Sequence, residues 1–186
     1  MTPPDRDDPR SDDLLVEAVN RGDVEAFEAL YRRYRDWVVD LAFRFTRNRE
    51  DALDVLQDAF AYFLGKFPGF RLEAKLTTFL YPTVKHLAIR ARQKTARFAP
   101  IGTDPPVEAR AEPAAGLEGS REELESALEG IPEGAREALL LRFVDGLTLE
   151  EIAAAQGVPL GTVKSRIHNA LKALRDDPRT RRYFGA

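Results

Sequence analysis

The sequence contains no cysteine, two histidines and one tryptophan in its 186 residues. Without cysteine there can be no disulfide and no thiolate metal ligand, and His86 and His168 alone provide little material for a zinc centre. No apolar run approaches the roughly 20 residues that span a bilayer. We therefore expect a protein without cofactor, bound metal or membrane-inserted segment.

The N-terminal residues lack the features of a signal peptide. Residues 1–11 are polar and contain three prolines, with no basic segment followed by an apolar one. We therefore expect a cytoplasmic protein. This segment offers almost no apolar surface to offset the entropy lost on ordering, so we predict that residues 1–11 are disordered.

The formal net charge of −3 conceals a segregation of charge along the chain. Residues 81–97 carry five Lys/Arg and no acid, whereas residues 104–133 carry nine acids and two arginines. A further basic stretch at residues 159–175 has four Lys/Arg and no acid. Since nucleic acids are polyanions, the two basic stretches are candidate nucleic-acid contacts.

Apolar residues at helical spacing predict three helices in the first part of the chain. They cover residues 12–20, 24–45 and 49–66, and Asp23 is positioned to cap the second. In the third helix, a polar face lies opposite the apolar stripe: Asp51, Asp54, Gln57 and Asp58. Like charges at this spacing cost about a few tenths of a kcal/mol per pair. A basic partner would offset this cost, but a face that is simply exposed to solvent explains the residues equally well.

A fourth, basic helix is predicted after a polar loop at residues 71–78. Its outward side carries four cations: Lys85, Arg90, Arg92 and Lys94. Pro82 leaves two interpretations open, because proline inside a helix costs about 3 kcal/mol. Either Tyr81 caps a helix that begins at Pro82, or the helix is kinked there.

Residues 148–176 have the pattern of a helix-turn-helix. Thr148 and Glu151 form the Thr-x-x-Glu capping box of a first helix, Gly157 can end it in the left-handed conformation, and Pro159 suits the first turn of a second helix. The second helix has an apolar stripe: Val163, Ile167, Ala170, Leu171 and Leu174. Its outward side is polar: Thr162, Ser165, His168, Asn169 and Lys172. The pattern alone leaves open whether this side binds DNA or is simply solvated.

Three blocks, taken in order, resemble the extracytoplasmic-function (group IV) sigma factors of bacterial RNA polymerase. They are AFEALYRRY at residues 26–34, EDALDVLQDAF at 50–60 and GTVKSRIH at 161–168. The resemblance implies an all-α fold with two small helical domains. Residues 12–97 would form the sigma region two bundle and residues 121–177 the region four helix-turn-helix. A flexible linker, residues 98–120, would join them, and residues 178–186 would be a basic tail.

The resemblance also implies the function and the partners. The chain would be an alternative sigma factor that binds core polymerase, through its clamp coiled coil and flap, and directs promoter-specific initiation without catalysing a reaction. Asp51, Asp54, Gln57 and Asp58 would dock on the clamp. The resemblance also allows an anti-sigma factor as a further partner.

Both DNA sites are implied by the same resemblance. Region two would capture the melted minus-ten element with six candidates: Arg71, Lys75, Lys85, His86, Arg90 and Arg92. Phe79 stands where the family usually has tryptophan, and Pro82 and His86 replace a common Arg and Asn. Region four would read the duplex minus-thirty-five element with seven: Thr162, Lys164, Ser165, Arg166, His168, Asn169 and Lys172.

Two other classes of function remain as alternatives. A stand-alone helix-turn-helix regulator would bind an operator as a two-fold pair, and its acidic and basic helices would then be incidental. A nucleic-acid hydrolase would hold Mg²⁺ with Asp51, Asp54 and Asp58, but the sequence shows no phosphate-cradling loop.

Overall fold

The computed structural model describes residues 8–98 and 118–183, which contain eight α-helices, one short 3-10 helix and no strand. The all-α prediction is confirmed. The chain divides into two compact units, Met1–Glu108 and Ala109–Ala186. The predicted linker falls mostly on residues 99–117, which lie outside the described residues, as do residues 1–7 and 184–186.

The first unit consists of four helices. They are α1 (Asp12–Asn20), α2 (Val24–Thr46), α3 (Arg49–Leu64) and α4 (Leu76–Phe98). α2, α3 and α4 pack against one another, and α1 packs against α2. The predicted cap is confirmed, since Asp23 accepts a hydrogen bond from the amide of Ala26 at 3.1 Å. That hydrogen bond lowers the pKa of Asp23, and Arg10 contributes further.

Phe63 is the centre of the first unit's core. It is fully buried, and its ring lies 5.9 Å from Phe27, 5.2 Å from Phe67 and 5.3 Å from Phe70, measured between centroids. These rings come from α2 and from the loop after α3, so Phe63 joins segments that are distant in sequence. Aromatic contacts of this kind add to the stabilisation that burial alone provides.

α4 begins six residues before Pro82, so the first of the two interpretations, a helix that starts at that proline, is wrong, and Pro82 lies inside the helix. Leu76 and Leu80 are fully buried, and Tyr81, the suggested cap, is only 2% exposed. Pro82 lies on the exposed side of the helix. Packing of the buried residues against α2 and α3 keeps the helix continuous although Pro82 supplies no backbone donor. The predicted loop at residues 71–78 is correspondingly shorter.

Residues 8–11, expected to be disordered, contact the first two helices. The Arg10 guanidinium contacts Asp8 at 2.7 Å and Asp23 at 3.3 Å. Arg33 of α2 donates to the backbone carbonyls of Asp8 and Arg10 at 2.7 and 3.0 Å. The hydrogen bond from Arg10 lowers the pKa of Asp8 to about 2. Polar contacts therefore fix this segment, whereas the sequence argument weighed apolar surface only.

The second unit consists of α5 (Glu118–Glu129), α6 (Glu133–Phe143), α7 (Leu149–Gln156) and α8 (Leu160–Asp176). The predicted capping box is confirmed: Glu151 donates its amide to the Thr148 hydroxyl at 3.2 Å, and the Thr148 amide donates to the Glu151 carboxylate at 2.7 Å. Gly157 ends α7 with φ +64°, also as predicted. α8 packs against both α6 and α7.

The first residues after α8 fold back onto it. Thr180 is fully buried and its hydroxyl donates to the carbonyl of Leu174, and a 3-10 helix follows at Arg181–Tyr183. Arg179 binds the Asp177 carboxylate at 2.7 Å and lowers its pKa to about 2. It also donates to Ser126 of α5. The described part of the predicted tail is therefore attached to the second unit.

Candidate nucleic-acid and polymerase interfaces

The acidic residues of α3 do not form one uniform surface. Asp54, Gln57 and Asp58 are exposed, whereas Asp51 is half-buried and accepts a hydrogen bond from the Thr95 hydroxyl of α4 at 3.0 Å. The structure thus places three of the four predicted polymerase contacts on the surface. Asp51 instead ties α3 to the C-terminal end of α4.

Exposed leucines adjoin these acids, and the sequence analysis did not identify them. Leu53 is 41% exposed and Leu64 is 50% exposed. At about 100° per residue, both lie within roughly 40° of Gln57 around α3. A mixed apolar and acidic surface is more typical of a protein interface than a uniformly charged one. The sequence could have indicated their exposure, because both leucines lie outside the predicted apolar stripe of this helix.

The cations of α4 lie on two sides of the helix. Lys85 and Arg92 are about 20° apart around the axis, whereas Arg90 is about 140° from Lys85. Lys85 is half-buried, and its ammonium lies 5.7 Å from the centroid of the Phe45 ring. His86, Arg90 and Arg92 are exposed. The predicted minus-ten contacts on α4 therefore lie on two different sides of the helix.

The loop between α3 and α4 is held in a defined position. Asn20, the last residue of α1, donates its side-chain amide to the Phe70 carbonyl at 2.8 Å and accepts from the Gly69 amide at 2.6 Å. Gly69 has φ +105°, a conformation that favours glycine. Phe67 and Phe70 pack on Phe63 below the loop. Arg71 and Lys75 come after Phe70 in the chain, and both side chains are exposed.

α8 presents the polar surface predicted for the second helix of the helix-turn-helix. Val163, Ile167, Ala170 and Leu174 are buried, while four polar residues on the opposite side are exposed: Ser165, His168, Asn169 and Lys172. Lys164 is also exposed, and Thr162 is half-buried. Pro159 precedes the helix and has no capping side chain, and its carbonyl accepts hydrogen bonds from the amides of Thr162 and Val163 at 2.9 and 3.2 Å.

Arg166 points away from this surface. Its guanidinium donates to the Gln156 side chain at 2.9 Å, and Gln156 donates in turn to the carbonyl of Gly134 at 3.1 Å. A Cβ at position 134 would lie 3.0 Å from the guanidinium carbon, so the glycine leaves room for this arginine. The contacts link α6, α7 and α8, and they give Arg166 an internal role that the sequence pattern did not indicate.

Residues 30–98 match the family described as Sigma-70 region 2, and residues 121–174 match Sigma-70, region 4. Among relatives, the RNA polymerase sigma-H factor of Pseudomonas aeruginosa is 33% identical, and the alignment covers 88% of this chain and 91% of that protein. The ECF RNA polymerase sigma-E factor of Escherichia coli K12 is also 33% identical, over 88% and 92% of the two chains. These matches show that the chain is an RNA polymerase sigma factor.

The chain belongs to the extracytoplasmic-function family of these sigma factors. Two solved structures share its fold. CnrH, in complex with the cytosolic domain of CnrY, has a TM-score of 0.62 at 24% identity and covers 88% of this chain and 94% of that chain. RpoE from Bartonella quintana, in complex with the anti-sigma factor NepR, has a TM-score of 0.61 at 21% identity over 82% and 96%.

Within residues 8–98 and 118–183, no three acidic or histidine side chains converge as metal ligands. In the same part of the chain, no helix is long and apolar enough to cross a membrane. Sigma factors are transcription initiation factors rather than catalysts.

Proposed function

We propose that this sigma factor recognises promoters with both units and docks on core polymerase through α3. The observation that carries the proposal is the composition of α8, whose exposed side has Ser165, His168, Asn169 and Lys172 above a fully apolar buried stripe. A helix with this composition fits the major groove of DNA. The factor would act in the cytoplasm, where promoter DNA and polymerase are found.

For the duplex minus-thirty-five element, we propose a division of roles along α8. Ser165, His168 and Asn169 would face base edges, where hydroxyl, imidazole and amide groups can donate or accept hydrogen bonds. Lys164 and Lys172 would neutralise phosphates, and the Thr162 hydroxyl would contact the DNA backbone beside them. Arg166 would fix the position of α8 rather than contact a base, because its guanidinium is hydrogen-bonded to Gln156.

For the melted minus-ten element, we propose that the positioned loop and α4 form one binding surface. Arg71 and Lys75 would follow the strand along the loop, and His86 and Arg90 would continue that path on α4. Lys85 and Arg92 lie on another side of α4, where they would contact a different part of the nucleic acid.

We propose that Asp54, Gln57 and Asp58 dock on the clamp coiled coil of core polymerase, with Leu53 and Leu64 supplying apolar contact. Asp51 would support this surface through its hydrogen bond to Thr95. Binding through polymerase would join two weak DNA-binding units, and the joined units bind more tightly than either alone because the second binds at a high effective concentration. The two neighbouring structures were solved with CnrY and NepR, and we propose that a protein of the anti-sigma kind also regulates this chain.

The experiment that tests the assignment on α8 measures the salt dependence of promoter binding by the reconstituted holoenzyme. Each lost phosphate contact reduces the slope of log K against log salt by about 0.9. Lys172→Ala and Lys164→Ala are expected to show this reduction, whereas Arg181→Ala, which removes an exposed charge outside α8, is expected to retain the wild-type slope.

The same measurement separates the role of Arg166 from that of the lysines. Arg166→Gln is expected to lower the thermal stability of the second unit and to leave the salt slope unchanged, because its partner is Gln156. A slope reduced by Arg166→Gln and left unchanged by both lysine variants would contradict the assignment.

A further inference from the structure

An exposed tyrosine ends a series of packed rings beside the loop of the first unit. Tyr62 lies in the last turn of α3 and is 46% exposed. Its ring is nearly parallel to that of Phe79, at 15° and 6.4 Å between centroids. Phe79 packs in turn on Phe70 at 4.7 Å and on buried Phe63 at 5.7 Å. The core therefore braces Tyr62 from one side while part of its ring stays accessible.

A cation already lies over this ring. The Lys66 ammonium is 4.1 Å from the centroid of the Tyr62 ring, and Lys66 is exposed at the start of the loop. The loop continues with Arg71 and Lys75, against a single acid, Glu73. An accessible ring with an exposed cation over it and further cations beside it has the chemistry that binds single-stranded nucleic acid, in which the base stacks and the phosphate meets a cation.

We propose that Tyr62 is a stacking platform for one unpaired base of the non-template strand and that Lys66 leaves the ring to bind the adjoining phosphate. The inference rests on the proposed capture of the melted minus-ten element and adds a base-binding site on α3 to the loop and α4. Cation–π contacts at exposed sites are weaker than the stacking of a base on an aromatic ring, so the exchange favours the base.

Tyr62 also follows Asp58 by one helical turn, so a contact with polymerase is the competing explanation for its exposure. Two observations favour nucleic acid. The ring is parallel to Phe79, which belongs to the basic helix α4, and the cation over it is Lys66. A positive charge suits the proposed basic clamp poorly and a phosphate well.

The test uses holoenzyme reconstituted from the full chain and core polymerase, with a fluorescent oligonucleotide of the non-template minus-ten strand as the probe. Tyr62→Leu, which keeps apolar bulk and removes the π face, is expected to weaken binding by about 5- to 160-fold. Tyr62→Phe is expected to bind as the wild type does. Lys66→Ala is expected to reduce the salt slope by about 0.7, the value for one phosphate of a single strand.

Leu14→Ala provides the control, because it removes an exposed apolar side chain from α1 of the same unit, outside the proposed polymerase and nucleic-acid surfaces. A second readout places 2-aminopurine at successive positions of the strand. One position is expected to be quenched by the wild type and to regain its fluorescence in Tyr62→Leu.

Three outcomes overturn the inference in distinguishable ways. If Tyr62→Leu binds the strand as the wild type does, with the same quenching, Tyr62 is not a platform. If the variant instead loses core polymerase in co-purification, Tyr62 belongs to the polymerase interface. If the wild-type holoenzyme does not bind the strand at all, the proposed minus-ten capture fails, and this inference fails with it.

Discussion

Replacing Asp54 and Asp58 together by lysine is expected to abolish co-purification of the chain with core RNA polymerase. Both carboxylates are exposed and lie one helical turn apart on α3. Lysine is a better helix former than aspartate, so α3 itself should tolerate the change. Against a basic partner, however, each substitution replaces attraction by repulsion, and a like charge facing a charge across an interface costs several kcal/mol. A loss of at least about a hundredfold in affinity follows, since about 1.4 kcal/mol corresponds to a factor of ten.

The control for this prediction is Asp13→Lys/Glu17→Lys. These two acids are also four residues apart and are exposed on α1 of the same unit. Because both double variants replace two acids by two lysines, the change in net charge is identical. We expect the control to co-purify as the wild type does. Equal co-purification of both double variants with the wild type would show that α3 does not provide the docking surface.

Phe63→Ala is expected to destabilise the first unit by about 3–5 kcal/mol. The side chain is fully buried and its ring contacts five others: Phe27, Phe60, Phe67, Phe70 and Phe79. Removing it leaves a cavity where α2, α3, α4 and the loop meet, which neighbouring backbone can fill only in part. Domains are commonly stable by about 5–15 kcal/mol, so this loss is a large share of the total.

Urea unfolding followed by tryptophan fluorescence measures this effect in the first unit alone. Trp37, the single tryptophan of the chain, lies in α2. Leu64→Ala, at the neighbouring position, removes a side chain that is 50% exposed and is expected to shift the midpoint far less. A midpoint for Phe63→Ala equal to that of the wild type would contradict the account of the core.

The sequence was most informative where local backbone chemistry decides the structure. The start of α2 after Asp23, the capping box of α7 and the left-handed Gly157 all follow from side chains that bond the nearest backbone groups or from the freedom of glycine. The buried stripe of α8 follows from periodicity in the same way. These features depend on residues within a few positions of one another, and the sequence displays such neighbours directly.

The features that the sequence did not reveal depend on distant partners. α4 passes Pro82 because α2 and α3 cover its buried side, and residues 8–11 are held by Arg33, more than twenty positions away. Arg166 has the spacing of a DNA contact, but Gln156 and Gly134 bring its guanidinium to the inner side. In the candidate interfaces, the sequence predicted which residues are polar and basic. It did not predict which of them share a surface.

The most direct test of the central claim is transcription from bacterial genomic DNA by core polymerase with and without this chain, with the transcript start sites mapped. We predict a set of start sites that appears only with the wild-type chain, shares one pair of spaced upstream elements and disappears with Asp54→Lys/Asp58→Lys. Absence of chain-dependent start sites, together with tight binding of the free chain to duplex DNA as a two-fold pair, would contradict the account and identify an operator-binding regulator instead.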